Sequence, residues 1–181
     1  MFFACLLKTL PISFRKKMFI AQRYVKGVKG IAIRYILLKS IAKECGDNVS
    51  IHEGCFILCP ENLSLGSNIS IWPMSYIDAT GNIEIENDVS IAHGATLLST
   101  NHKFQNLGIP IKDQGIETGG LKIEHNVWIG SKATVLYGRT LHTGCIVAAG
   151  AVVTHDVPEN DVVAGVPAKA IYNRNKFNME Q

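Results

Sequence analysis

The sequence lacks a C-x-x-C pair, and its five cysteines (Cys5, Cys45, Cys55, Cys59, Cys145) are odd in number and scattered. That pattern excludes a small disulfide framework and reads as reduced thiols in a cytoplasmic protein. Long hydrophobic runs are also missing. None reaches the ~18 residues that cross a bilayer, because Lys8, Pro11, Arg34 and Lys39 break the nearest stretches. The first seven residues carry no positive charge ahead of an apolar core, so no secretory signal is expected. Charge of one sign is scarce as well: 18 Lys/Arg against 15 Asp/Glu leave +3, too small an excess to argue for nucleic acid. What is present is 181 residues with 47% hydrophobic content, enough for one domain with a real core and too apolar for a disordered tail or a fibre.

The small net charge hides a polarised distribution. Residues 1–44 hold ten Lys/Arg and a single acid, Glu44, whereas residues 45–181 hold eight bases against fourteen acids. A basic head therefore precedes a mildly acidic body.

The body is organised by a six-residue repeat. From Cys45 an aliphatic residue recurs at Ile51, Ile57, Leu65, Ile71, Ile77, Ile85, Ile91 and Leu97, and again at Ile123, Ile129, Val135, Leu141, Val147 and Val153. Three residues after each of these fifteen positions, ten are Gly, Asn or Asp, the types that tolerate positive φ. Neither a helical period of 3.6 nor a strand period of 2 gives that pattern. Short strands separated by sharp corners, three per coil, give both columns, with the aliphatic residues stacked inside as ladders. The spacing therefore predicts an all-β parallel β-helix. Its first coils step by 20 residues and its later ones by 18, so two extra residues per early coil are expected as corner bulges.

Between Leu97 and Ile123 the chain spends 26 residues where the repeat needs six. Some twenty residues must leave the coil at one corner and return in phase, and a loop of that length in a regular solenoid points to function. The expected organisation is a basic helical cap over 1–44, the coil over 45–157 with an extruded loop at 99–121, and a C-terminal extension over 158–181. Within the cap, Lys16–Lys29 and Gly30–Glu44 read as two helices, the second with Ile31, Tyr35, Leu38 and Ala42 along one face. The cap would cover the edge amides of the first coil. Its basic character also allows peripheral contact with an anionic membrane. Asp156–Ile171, with two prolines, reads as a chain reversing off the last coil.

Three stretches, STNHKF (99–104), IEHNVWIGSKATVLYG (123–138) and CIVAAGAVVTHDVPENDVVAGVPAKAI (145–171), resemble the hexapeptide-repeat acyltransferases. The likeness is to the sugar O-acetyltransferases among them, those for maltose and galactoside and those of bacterial surface polysaccharide synthesis. The resemblance implies a left-handed coil, a homotrimer with sites at subunit interfaces, acetyl-CoA as donor and no metal. It also implies a loop histidine as catalytic base, a position that falls on His102. A neutral imidazole suits that task, since a sugar hydroxyl attacks only when its proton is accepted near pH 7. The resemblance further assigns cofactor contacts to Trp128, Ser131, Ala149 and Thr154. His155 stands where the relatives carry a lysine, and Lys169, with Arg174 behind it, is left to meet nucleotide phosphates. The small residues Ala148–Ala149–Gly150–Ala151 would admit a pantetheine arm, though a tight coil needs small corners in any case.

On the acceptor side, Asp78 precedes the loop by one coil and would orient the acceptor or the imidazole; an ordinary corner aspartate reads equally well. Glu117 lies at the loop's return, and Trp72 stands where the maltose and galactoside enzymes carry an asparagine, which argues against a simple disaccharide. The other histidines, His52, His93, His125, His142 and His155, fall in repeat units or corners, where structural roles are expected. Cys45, Cys55 and Cys145 fall at inward positions, so direct transfer is expected over an acyl-cysteine. The alternatives are N-acetylation of an amino sugar, acetylation of an antibiotic, and a non-catalytic trimeric scaffold. A zinc carbonic anhydrase on the same coil would need a pair of histidines five residues apart, which the sequence lacks.

Overall fold

The computed structural model describes residues 2–179. The aliphatic ladder becomes a triangular prism with one strand per side of each coil. Face one stacks Glu44–Cys45, Leu63–Leu65, Ile83–Ile85, Leu121–Ile123 and Thr140–Leu141. Face two stacks Val49–Ile51, Ile69–Ile71, Ser90–Ile91, Trp128–Ile129, Ile146–Val147 and Asp161–Ala164, and face three Phe56–Leu58, Tyr76–Asp78, Thr96–Leu98, Thr134–Val135 and Val152–Val153. Neighbouring strands within each face are parallel. The ladder residues sit in exact register, Ile51 on Ile71 on Ile91 and Leu65 on Ile85 on Ile123. Apart from Cys45 and Ile57, the ladder residues are at most 3% exposed, and burial of each large aliphatic side chain contributes about 1.5–3 kcal/mol.

The corner chemistry follows the second column. Eleven of the fifteen positions three residues past the ladder take φ between +55° and +75°. Nine of these are Gly, Asn or Asp; the others are Met74 and Lys132, whose Cβ atoms make that conformation costly. Asp156 departs from the column and instead accepts a hydrogen bond from the Thr140 amide at 2.9 Å.

The two extra residues of the early coils lie at one place, the corner from face three to face one: a 3₁₀ turn at Pro60–Asn62, then Thr80–Asn82. In the third coil the same corner opens into an antiparallel hairpin, Thr100–His102 paired with Ile116–Thr118. The chain then rejoins in phase, with Ile123 beside Ile85.

Over the first coil lie α1 (Phe2–Leu7), α2 (Ile12–Ala21) and α3 (Gly27–Ile41). Phe19, Leu37, Leu38 and Ile41 continue the core beyond Val49 and Ile51. The expected pair of helices is thus three, with a break at 22–26, and the buried face of α3 runs through Gly30, Arg34, Leu37, Leu38 and Ile41. The cause is Arg34, 1% exposed, whose guanidinium donates to the carbonyls of Gln22 (2.9 Å), Val25 (2.7 Å) and Ile51 (2.9 Å). Arg34 thus ties the Gln22–Val25 segment between the helices to the coil at Ile51. Gly30 is required there, because a Cβ would lie 1.9 Å from the Val25 oxygen. Burial lowers the Arg34 pKa from its usual value.

At the other end the coil outlasts its sequence signal. Asp161–Ala164 still pairs parallel with Ile146–Val147, and the reversal comes only with Lys169–Asn173, which runs antiparallel to it.

Candidate active site

The hairpin departs from the prism in mid-coil and presents polar side chains. Its root is fixed by Asp78, the last residue of its strand on face three and 7% exposed. One carboxylate oxygen accepts from the Thr80 amide (3.0 Å) and hydroxyl (2.6 Å), the other from the Thr100 hydroxyl (2.6 Å). Ser99, fully buried, donates its hydroxyl to the Asp78 carbonyl at 2.6 Å and accepts from the Gly81 amide at 2.7 Å. Burial pushes the Asp78 carboxyl up, but the hydrogen bonds from Thr100 and Thr80 outweigh it, so its pKa lies below the usual value.

Side chains two apart on a strand share a face. Thr100 and His102 therefore lie on the Asp78 side of the hairpin, and Asn101 on the other. His102 is exposed, its backbone is paired with Ile116, and its imidazole has no hydrogen-bond partner among the described residues. Glu117 sits directly across from Asn101 and so on the far side from His102. It accepts from the Tyr137 hydroxyl at 2.6 Å and from Asn101 at 3.5 Å, tying the returning strand to the next coil.

Most other histidines are engaged. His125 faces Asp88 and His142 faces Glu124, each at 3.3 Å; the His155 ring meets the Thr154 hydroxyl at 2.9 Å; His52 stacks on Trp72 at 4.7 Å. His93 shares with His102 the lack of a side-chain partner among the described residues, but it stands on a coil corner. No group of three His, Cys, Asp or Glu able to hold a metal ion occurs among the described residues.

The residues expected on the donor side divide between two edges of the prism. Ser131 and Ala149 stack at the corner from face two to face three, where the Gly150 amide donates to the Ser131 carbonyl at 2.9 Å. The coils approach so closely there that a Cβ on Gly130 would lie 2.5 Å from the Ala149 nitrogen, whereas one on Gly150 would meet open space. Trp72 occupies this same edge two coils before Ser131 and three before Ala149. Thr154 and His155 lie on the other edge of face three, two coils beyond the hairpin root. Trp128 projects outward from face two, half exposed, and Lys169 opens the terminal strand beside Ala164. One chain thus gathers Asp78, Thr80, Ser99, Thr100 and His102, but leaves Ser131 and Ala149 an edge away from His102. In the sequence Thr100 is marked only by the polar run that opens the loop, and Thr80 and Tyr137 carry no signal of a role at the hairpin.

No family model matches the chain. It is 32% identical over 134 residues to WbbJ of Escherichia coli, named for lipopolysaccharide biosynthesis O-acetyl transfer, a match spanning 74% of this chain and 60% of that one. It is also 32% identical over 132 residues to the galactoside O-acetyltransferase of E. coli, spanning 70% and 64%. The chain therefore covers less than two thirds of the length of these relatives. A galactoside acetyltransferase solved in complex with coenzyme A superposes with a TM-score of 0.80 at 24% identity, covering 91% of this chain and 81% of the other. The shared fold is the left-handed parallel β-helix of hexapeptide repeats.

Proposed function

The chain is a relative, by sequence and by fold, of the hexapeptide-repeat acetyltransferases, and from that premise we propose that it transfers acetyl from acetyl-CoA to a sugar hydroxyl in bacterial surface polysaccharide synthesis. The observation that carries the reading is the His102 hairpin. Its imidazole has no hydrogen-bond partner among the described residues and is exposed on a strand whose root is fixed by a buried carboxylate.

In this reading His102 accepts the proton of the sugar hydroxyl as the oxygen attacks the thioester carbonyl. The tetrahedral oxyanion collapses with cleavage of the C–S bond, and the imidazolium returns its proton to the departing thiolate. Such a base is typically worth 10²–10⁴ in rate. Asp78 acts on the hairpin through Thr100, and its side of the hairpin is where the acceptor would approach. Glu117, bound to Tyr137 and Asn101, fits a bracing role better than direct acceptor contact.

The donor would lie in a cleft between two copies. Ser131, Ala149 and Trp128 of one subunit would meet the His102 hairpin, Thr154 and His155 of the next, with Lys169 toward the nucleotide phosphates. A homotrimer closes three such clefts, and this arrangement accounts for a donor set split over two edges of one chain. The enzyme would work in the cytoplasm beside the membrane face. The test is His102→Ala, expected to cut turnover at least a hundredfold with coenzyme A affinity and oligomer unchanged; undiminished turnover overturns the assignment.

A further inference from the structure

The helical cap carries a surface that acetyl transfer does not use. Between α1, α2 and α3 lies a groove of about 330 Å³, lined by Phe3, Leu6, Met18, Ile33, Ile36 and Leu37 with Gln22 as its one polar neighbour apart from backbone. Phe3 is 67% and Leu6 58% exposed, and Phe14, Ile20 and Val28 stand open on the same three-helix unit. Apolar surface so concentrated on a cap marks a place where something binds.

The charges around it say what. Arg15, Lys16, Arg34 and Lys39 are engaged within the fold, with backbone carbonyls, Glu61 or Asp47. Lys8, Lys17, Lys26 and Lys29 are exposed and form no ion pair among the described residues. Lys8 directly follows the groove residue Leu7, and Lys29 lies one helical turn before Ile33 on α3. Only Glu44 among the first 44 residues is acidic, and it belongs to the coil. Two caps meeting groove to groove would bring together only like charges, so a second copy is a poor occupant. Among the described residues no helix is long and apolar enough to cross a membrane.

We infer that the cap docks on an anionic lipid surface, with Phe3, Leu6 and Ile33 entering the headgroup–acyl boundary and Lys8, Lys17, Lys26 and Lys29 facing the headgroups. This deepens the proposed function, on which it rests for the acceptor: a cap held at the membrane sets the hairpin near lipid-linked sugars.

The test is flotation of the full chain with phosphatidylcholine vesicles, with and without phosphatidylglycerol. The expected result is binding to the anionic vesicles at low salt and release at about 0.5 M salt, where screening is within a few ångströms. Replacing the four lysines together by Gln should weaken binding several hundredfold, at roughly fivefold per lysine. Leu6→Asp should weaken it independently. Failure to bind anionic vesicles, or equal binding to neutral ones, overturns the inference. So does a Leu6→Asp variant that dissociates the oligomer with vesicle binding unchanged, which would assign the groove to a second copy. Coenzyme A affinity of each variant, measured without lipid, reports a failure of the acetyltransferase reading separately.

Discussion

The Thr100 hydroxyl donates to a buried Asp78 oxygen at 2.6 Å, joining the end of the face-three strand in one coil to the first paired residue of the hairpin that leaves the next. A hairpin rooted only by its backbone would swing with its exposed tip. This bond instead fixes the strand that carries His102 two residues further on.

Removing that tie should therefore injure catalysis more than folding. Thr100→Val is expected to lower kcat about tenfold, with coenzyme A affinity unchanged. Asp78→Ala, which also strands Thr80, should cost about 1.5–3 kcal/mol, lowering Tm by roughly 3–12 °C. Because the folded-state pKa of Asp78 is depressed, its contribution is present above the ordinary carboxylate value near ~3.9 and lost as pH falls through the depressed one. Asp78→Asn should flatten that part of the acid unfolding profile, as followed by thermal melts across pH.

The thiols should behave as packing groups. Burial pushes Cys45 and Cys55 up to about 11 and Cys145 to about 12. At neutral pH the native protein should alkylate at the exposed Cys5 and then Cys59, with the other three reacting only on unfolding; mass spectrometry reads the order. The folded state keeps these three protonated where the unfolded chain ionises. Stability should hold below pH ~9 and decline above it. Rapid alkylation of Cys145 in the native protein would reopen an acyl-cysteine route.

Lys132 holds φ +58° at a corner where most counterparts are Gly, Asn or Asp. Lys132→Gly should relieve about 1 kcal/mol of backbone strain and raise Tm by roughly 2–4 °C. An unchanged or lower Tm would mean that the side chain contributes contacts of comparable worth.

The ladder was legible because it depends on local chemistry repeated many times. Ile51, Ile71 and Ile91 announce themselves by period, and Asn48, Gly94 and Gly150 by the φ their corners require. The place where the hairpin leaves was legible as arithmetic, 26 residues in a space for six. Long-range polar contacts were not. A lone arginine in a basic helix gives no sign that it is buried and bonded to four carbonyls, so Arg34 and the helix break it imposes stayed hidden. Asp78 was visible as a candidate, but its partner Thr100 lies 22 residues away and has no periodic mark. The sixth coil is masked in the sequence because the step from Val153 to Val157 is four residues instead of six, although the six-residue step resumes from Val157 to Val163.

The account stands most directly on donor binding, which needs no knowledge of the acceptor. Calorimetric titration of the full chain with coenzyme A, after light scattering has set the oligomer, is predicted to show saturable binding near one site per subunit of a trimer. A well-formed trimer that gives no binding heat and no protection by coenzyme A would contradict the acetyltransferase reading and leave a non-catalytic scaffold.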